Sequence, residues 1–65
     1  MKIMVNGEPV ETEAGSVTAV LAKLGYGDTK VATAVNGVFV PASQRDDTAL
    51  VAGDALEIVA PRQGG

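Results

Sequence analysis

The chain opens with alternation. In "KIMVN", Ile3 and Val5 fall on one side and Lys2, Met4 and Asn6 on the other, the period-two pattern of a half-buried strand. Asn6-Gly7 is a dipeptide that tolerates positive φ, so it predicts a tight hairpin turn. Pro9 has no N–H to give a ladder, which places the returning strand at a sheet edge or starts it after the proline. Val10 and Thr12 continue that strand, with Glu11 and Glu13 facing water. The period then changes. Val17, Val20, Leu21 and Leu24 are spaced i, i+3, i+4 and i+7, one stripe of an amphipathic helix.

The helix carries its own punctuation. Ser16 is the predicted N-cap. Gly25 is the residue expected just past the C-terminus in the left-handed conformation, followed by Tyr26 packing back on Leu21. Lys23 suits the negative end of the helix dipole. Period two returns in "VATAVNGVFV", with Val31, Thr33 and Val35 on one face and Ala32 and Ala34 on the other. Asn36-Gly37 marks a second hairpin, and Pro41 ends its return strand. "PASQRDD" reads as a turn or one short helical turn, and "AGD" as a turn centred on Gly53. "ALEIVA" is a last strand, with Leu56 and Ile58 on one face and Glu57 and Val59 on the other.

The predicted order is strand, strand, helix, strand, strand, strand. Two hairpins need a helix over their apolar face, which gives an α+β domain of two layers. A hairpin, a helix across it, a second hairpin and a closing strand make the β-grasp arrangement: a mixed sheet of four to five strands with one main helix packed across one face. The last strand fits beside the first only if it is central and parallel to it. Residues 1–60 then form the domain, and 61–65 a flexible C-terminal Gly-Gly tail projecting into solvent.

Composition narrows the function more than the fold. At 65 residues there is room for one domain, which buries only about 60% of its unfolded surface. Without cysteine or histidine, neither a disulfide nor a structural zinc site can brace it. The core is left to aliphatic side chains. The net charge is −3 and the five basic residues are scattered, so no stripe exists to neutralise phosphates and nucleic acid is excluded as a partner. No apolar run has the length of a membrane span, and no charged-then-apolar leader opens the chain. The expected setting is the cytoplasm, and the expected partner an oppositely charged protein surface.

Catalytic chemistry finds little to use. The common nucleophile–base pairs need Cys or His, both absent. Ser16 is explained as a cap and Ser43 as a loop residue. Asp46-Asp47 are neighbours and read as solvated loop charges. Gly25-Tyr26-Gly27 closes a helix, whereas a nucleotide-binding fingerprint opens one. What remains is "PRQGG". Two closing glycines arise by chance in about one chain in two hundred, given the average glycine content, so they are uncommon but not decisive. Their chemistry says more. A carboxylate is a poor electrophile until ATP converts it to an acyl-adenylate, and that reaction requires threading the terminus into another protein's ATP site. Gly64 and Gly65 have no Cβ to block a narrow channel. Pro61 limits the freedom of the tail's base, and Arg62 can pair with an acidic channel wall or simply stay solvated.

"VATAVNGVFVP", then "GDALEIV", then a closing "QGG" resemble the ThiS family, the sulfur carriers of thiamine biosynthesis, over nearly the whole chain. The resemblance implies the ubiquitin-like β-grasp fold and a carrier rather than an enzyme, with no cofactor of its own. A partner adenylyltransferase (ThiF-like), using ATP and Mg, would activate Gly65. Sulfur would convert the terminus to a thiocarboxylate, and a thiazole synthase (ThiG-like) would take that sulfur into the thiazole ring. Gly65 then carries the chemistry, while Gly64, Gln63 and Arg62 serve access and recognition. The family pattern often has a basic residue where Ala42 follows Val-Pro, and an acidic one where Ala52 precedes Gly-Asp. On the sheet face away from the helix, Ala32 and Ala34 are candidate docking residues. Phe39 fills the core if it points inward and anchors a partner if it points outward. Three other readings are a carrier for another pathway, as in the small subunit of molybdopterin synthase, a ubiquitin-like protein modifier, and a binding module with incidental glycines.

Overall fold

A computed structural model describes residues 1–27 and 30–60. Strand β1 spans Lys2–Val5 and β2 Glu8–Glu11. Helix α1 spans Val17–Lys23. Strand β3 covers Ala32–Val35, β4 Val38–Val40 and β5 Ala55–Val59, with a 3-10 turn at Ala42–Gln44. All five strands join in one sheet, in the order β2-β1-β5-β3-β4. As the element order requires, β5 is central. It runs parallel to β1, with Val5 beside Leu56, and antiparallel to β3, with Thr33 beside Ile58.

Both hairpins turn as their dipeptides predict. Asn6 and Gly7 have φ of 51° and 83°, and Asn36 and Gly37 52° and 85°, two consecutive left-handed residues in each turn. Pro9 does lie in an edge strand, where its missing N–H breaks no ladder.

The helix ends are built as the sequence indicates. Ser16 Oγ accepts from the Ala19 N–H at 3.1 Å. At the other end Gly25 has φ +89°. Its N–H donates to Ala22 O at 3.1 Å, and the Tyr26 N–H to Leu21 O at 2.8 Å, the paired bonds of a Schellman motif. The half-buried Tyr26 packs on the core beside Leu24.

The core lies between α1 and one sheet face. It contains Ile3, Val5, Val17, Val20, Leu21, Leu50, Leu56 and Ile58, with Val31 and Val35 packed against it. Leu50 had no periodic signal around it. It is carried inward because residues 48–50 run beside the entry to α1: the Leu50 N–H donates to Gly15 O at 3.0 Å, and the Val17 N–H to Thr48 O at 3.1 Å. Thr33 is buried among these side chains but is fully served. Its hydroxyl donates to Val40 O at 2.8 Å and accepts from Arg45 Nε at 3.1 Å, and the same guanidinium donates to Val31 O. Arg45 thus ties the loop after β4 to β3.

Candidate functional site

Strand β5 organises what can be seen of the site. Its two neighbours hold its middle by ordinary ladders, and asparagine side chains hold its ends. At the start, the Asn36 N–H donates to Ala55 O at 2.8 Å, and Asn36 Oδ1 accepts from the Ala55 N–H at 2.9 Å. Asn36 Nδ2 also donates to Asp54 Oδ1 at 3.0 Å, while Asp54 Oδ2 accepts from the Val51 N–H at 2.9 Å. These bonds, that from Val51 first, hold the Asp54 carboxyl below its ordinary pKa of 3.8.

At the far end the β1–β5 ladder stops, because Asn6 turns away in the left-handed conformation. Its backbone N–H still donates to Leu56 O at 3.0 Å. Its side chain then takes the place of the next strand residue. Asn6 Oδ1 accepts from the Ile58 N–H at 2.8 Å and Nδ2 donates to Ile58 O at 3.1 Å. Both asparagines had been read only as turn formers. The signal for more was available in principle: an Asn-Gly turn at the edge of a central strand brings an amide fork within reach of that strand.

The sheet face away from α1 is open. Strand parity and register set Ala32 and Ala34 of β3, Phe39 of β4, and Glu57 and Val59 of β5 together on it. These residues, with Thr33, line a shallow depression of about 160 Å³. Ala32 is exposed and Ala34 half-buried. Phe39 is 65% exposed and Val59 also 65%, so Phe39 is not core filler: β4 is an edge strand, and its odd position points away from the helix. Glu57 is the charged residue within this apolar frame.

Elsewhere the described residues offer little chemistry. The two larger depressions are lined by Met1, Glu11, Thr12, Glu13, Ala14 and Lys23, and by Val5, Asn6, Glu8, Val10, Leu24 and Tyr26. Neither brings a nucleophile to a base. Asp46 and Asp47 are exposed, and Asp46 accepts from the Thr18 hydroxyl at 2.5 Å, which fastens the loop to the start of α1. Among the described residues there is no cluster of acidic, Cys or His side chains able to hold a metal, and no helix is long and apolar enough to cross a membrane. Arg62, Gln63, Gly64 and Gly65, expected to carry the chemistry, and the whole segment 61–65, expected to be a flexible tail, lie outside the described residues.

Known proteins converge on one answer. The ThiS family model matches residues 3–65. The crystal structure of the thiamine biosynthesis protein ThiS from Geobacter metallireducens is 32% identical, covers the whole of both chains and superposes with a TM-score of 0.82. A solution structure of a thiamine biosynthesis protein from the same organism is 29% identical over all of this chain and 88% of its own, with a TM-score of 0.81. No curated protein sequence matches. A family match spanning nearly every residue, and a structural match spanning all of them, place this chain in the ThiS family.

Proposed function

We propose that the chain is a sulfur carrier for thiazole formation in thiamine biosynthesis, a protein substrate rather than an enzyme. The carboxylate of Gly65 attacks the α-phosphate of ATP in a partner adenylyltransferase, and pyrophosphate leaves. The resulting acyl-adenylate is open to attack at its carbonyl carbon. Sulfur delivered at the oxidation level of hydrosulfide displaces AMP, a C–S bond replaces the C–O bond to the phosphate, and loss of the S–H proton leaves a thiocarboxylate. A thiazole synthase then receives the sulfur. Mg and ATP belong to the partner's site. Family membership supports the reading, and the observation that carries it is the position of β5. The strand that leads into "PRQGG" is the central one, held on both sides, so the segment starts from the most firmly held part of the fold.

The open face supplies a surface on which partners can dock. Phe39 and Val59 are large exposed apolar residues, and such residues commonly supply the anchors of an interface. Ala32 and Ala34 between them allow close approach. Glu57 and the net charge of −3 favour a basic counterpart.

The test is removal of Gly65. The truncated chain should keep its circular dichroism and melting temperature and lose ATP–pyrophosphate exchange with the cognate adenylyltransferase. Exchange that survives the truncation would overturn the reading. Intact mass adds a second check, since carrier isolated from its host should contain a fraction in which one oxygen is replaced by sulfur. Thiamine auxotrophy on gene removal, relieved by thiazole, would fix the pathway.

A further inference from the structure

We infer that the outer edge of β4 is a self-association site, where a second copy of this chain lays its own β4 antiparallel to the first and joins the two sheets. The two hairpins make the case. Each turns on Asn-Gly, and in each the residues flanking the turn face each other, Val5 beside Glu8 and Val35 beside Val38. In a two-residue hairpin that pair exchanges both ladder bonds, so the next residue turns its N–H and C=O outward. In β2 the next residue is Pro9, opposite Met4, with no N–H to offer. In β4 it is Phe39, opposite Ala34. Both strands lie at the outside of the sheet, and among the described residues no strand pairs beyond either. The same turn therefore presents a blocked backbone on one side and an intact donor–acceptor pair on the other.

What this edge accepts follows from the side chains around it. Val38 is 67% exposed and Phe39 65%, and the two point to opposite faces of the sheet. A partner on the open face reaches Phe39 and leaves Val38 uncovered, because Val38 has the parity of the buried Val40. A strand added in the plane of the sheet meets both. Residues 31–44 contain no Asp, Glu, Lys or Arg. Two chains of net charge −3 can align there without opposing like charges, whereas a basic partner finds no carboxylate to pair with. A second β4 also matches the backbone. With Phe39 opposite its own copy about a two-fold axis, each Phe39 N–H donates to the other's C=O. The two rings then lie side by side on the open face, and each Val38 sits across from the other copy's Val40 on the opposite face. Three residues of strand bury well under the roughly 1,200 Å² of a stable interface. The dimer is accordingly weak, with half-association at about 0.1–1 mM.

The experiment is sedimentation equilibrium of the full chain from about 10 µM to about 2 mM, with hydrogen exchange at both ends of that range. The weight-average mass should rise from one chain toward two. The Phe39 amide should exchange at least about twofold more slowly at the upper end. The Glu11 amide, which faces outward from β2, should keep its rate. Val38→Lys puts a charge on the edge and leaves the Phe39 backbone and ring in place. It is an exposed substitution that should hold the melting temperature within about 2 °C and weaken association at least about tenfold. Since it also lowers the net negative charge, a general easing of repulsion would act in the opposite direction. A mass that stays at one chain up to about 2 mM would leave the edge to a foreign strand and overturn the inference. Association that survives Val38→Lys, or a dimer whose Phe39 amide is unprotected, would overturn it equally. Neither measurement involves ATP or the adenylyltransferase, so failure here leaves the carrier reading standing.

Discussion

At the residue scale, the polar side chains of this small protein act as fasteners. Thr33 lies in the core yet has its hydroxyl used twice, by Val40 O and by Arg45. Leaving such a group unpaired costs about 1–3 kcal/mol. Asp54 fastens the turn before β5 from a half-buried position, and its carboxyl titrates below the ordinary value because the Val51 N–H and the Asn36 amide favour the charged form. The sign follows. A carboxyl with a lowered folded pKa adds stability above its unfolded pKa, here 3.8, and that stability is lost as the pH falls through the folded value. Asp54→Asn should therefore be less stable than the unaltered chain at neutral pH. The gap in urea midpoint should close as the pH drops below about 3.8. A gap that stays constant down to strongly acidic pH would show that the charge is not the cause.

At the scale of elements, α1 is short, and its ends matter in proportion. Seven residues are too few for a helix to persist on propensity alone. Ser16→Ala should cost about 1 kcal/mol through the lost cap. Gly25→Ala should cost about 1–2 kcal/mol, since alanine resists the left-handed conformation held there. In a domain of this size each kcal/mol lowers the melting temperature by about 4–8 °C, within reach of thermal unfolding followed by circular dichroism. The same features explain what the sequence made readable. Caps, Asn-Gly turns and periodic stripes are local, and the elements that depended on them formed close to where expected, with β5 central and parallel to β1, although β2 ends at Glu11 and does not run on through Thr12. Leu50 was not readable, because its burial comes from pairing of 48–50 with the entry to α1, residues distant in the chain. The clamps of Asn6 and Asn36 were readable only by joining two signals, the local turn and the central position of β5, since the strand gripped is 52 residues further on for Asn6. The site was half legible. The open face with Ala32 and Ala34 followed from strand parity, whereas the direction of Phe39 was left open and is set by its register beside Ala34.

At the scale of the molecule, the two hairpins do not pair with each other, and β5 alone joins them. Loss of β5 would leave two separate ribbons, and isolated hairpins are marginal in water. The sheet therefore has little means of releasing its central strand without unfolding altogether. The surface shows a second division, one face sealed by α1 and the other open. Phe39→Ser should leave the melting temperature within about 2 °C, as expected for an exposed position. It should weaken binding to the adenylyltransferase about tenfold or more if Phe39 is an anchor. Calorimetric titration would measure this, and unaltered affinity would remove Phe39 from the interface. The two outer strands are also unequal. Strand β2 carries Glu8, Pro9 and Glu11, whereas β4 is Val-Phe-Val without charge or proline. Charge and proline discourage a neighbouring chain from adding itself to a sheet margin. Of the two margins the described residues form, β4 is the one that invites a newcomer, so two copies that met there would use up that adhesive border. Aggregation by that route would end at a pair, and no endless ribbon could grow from it.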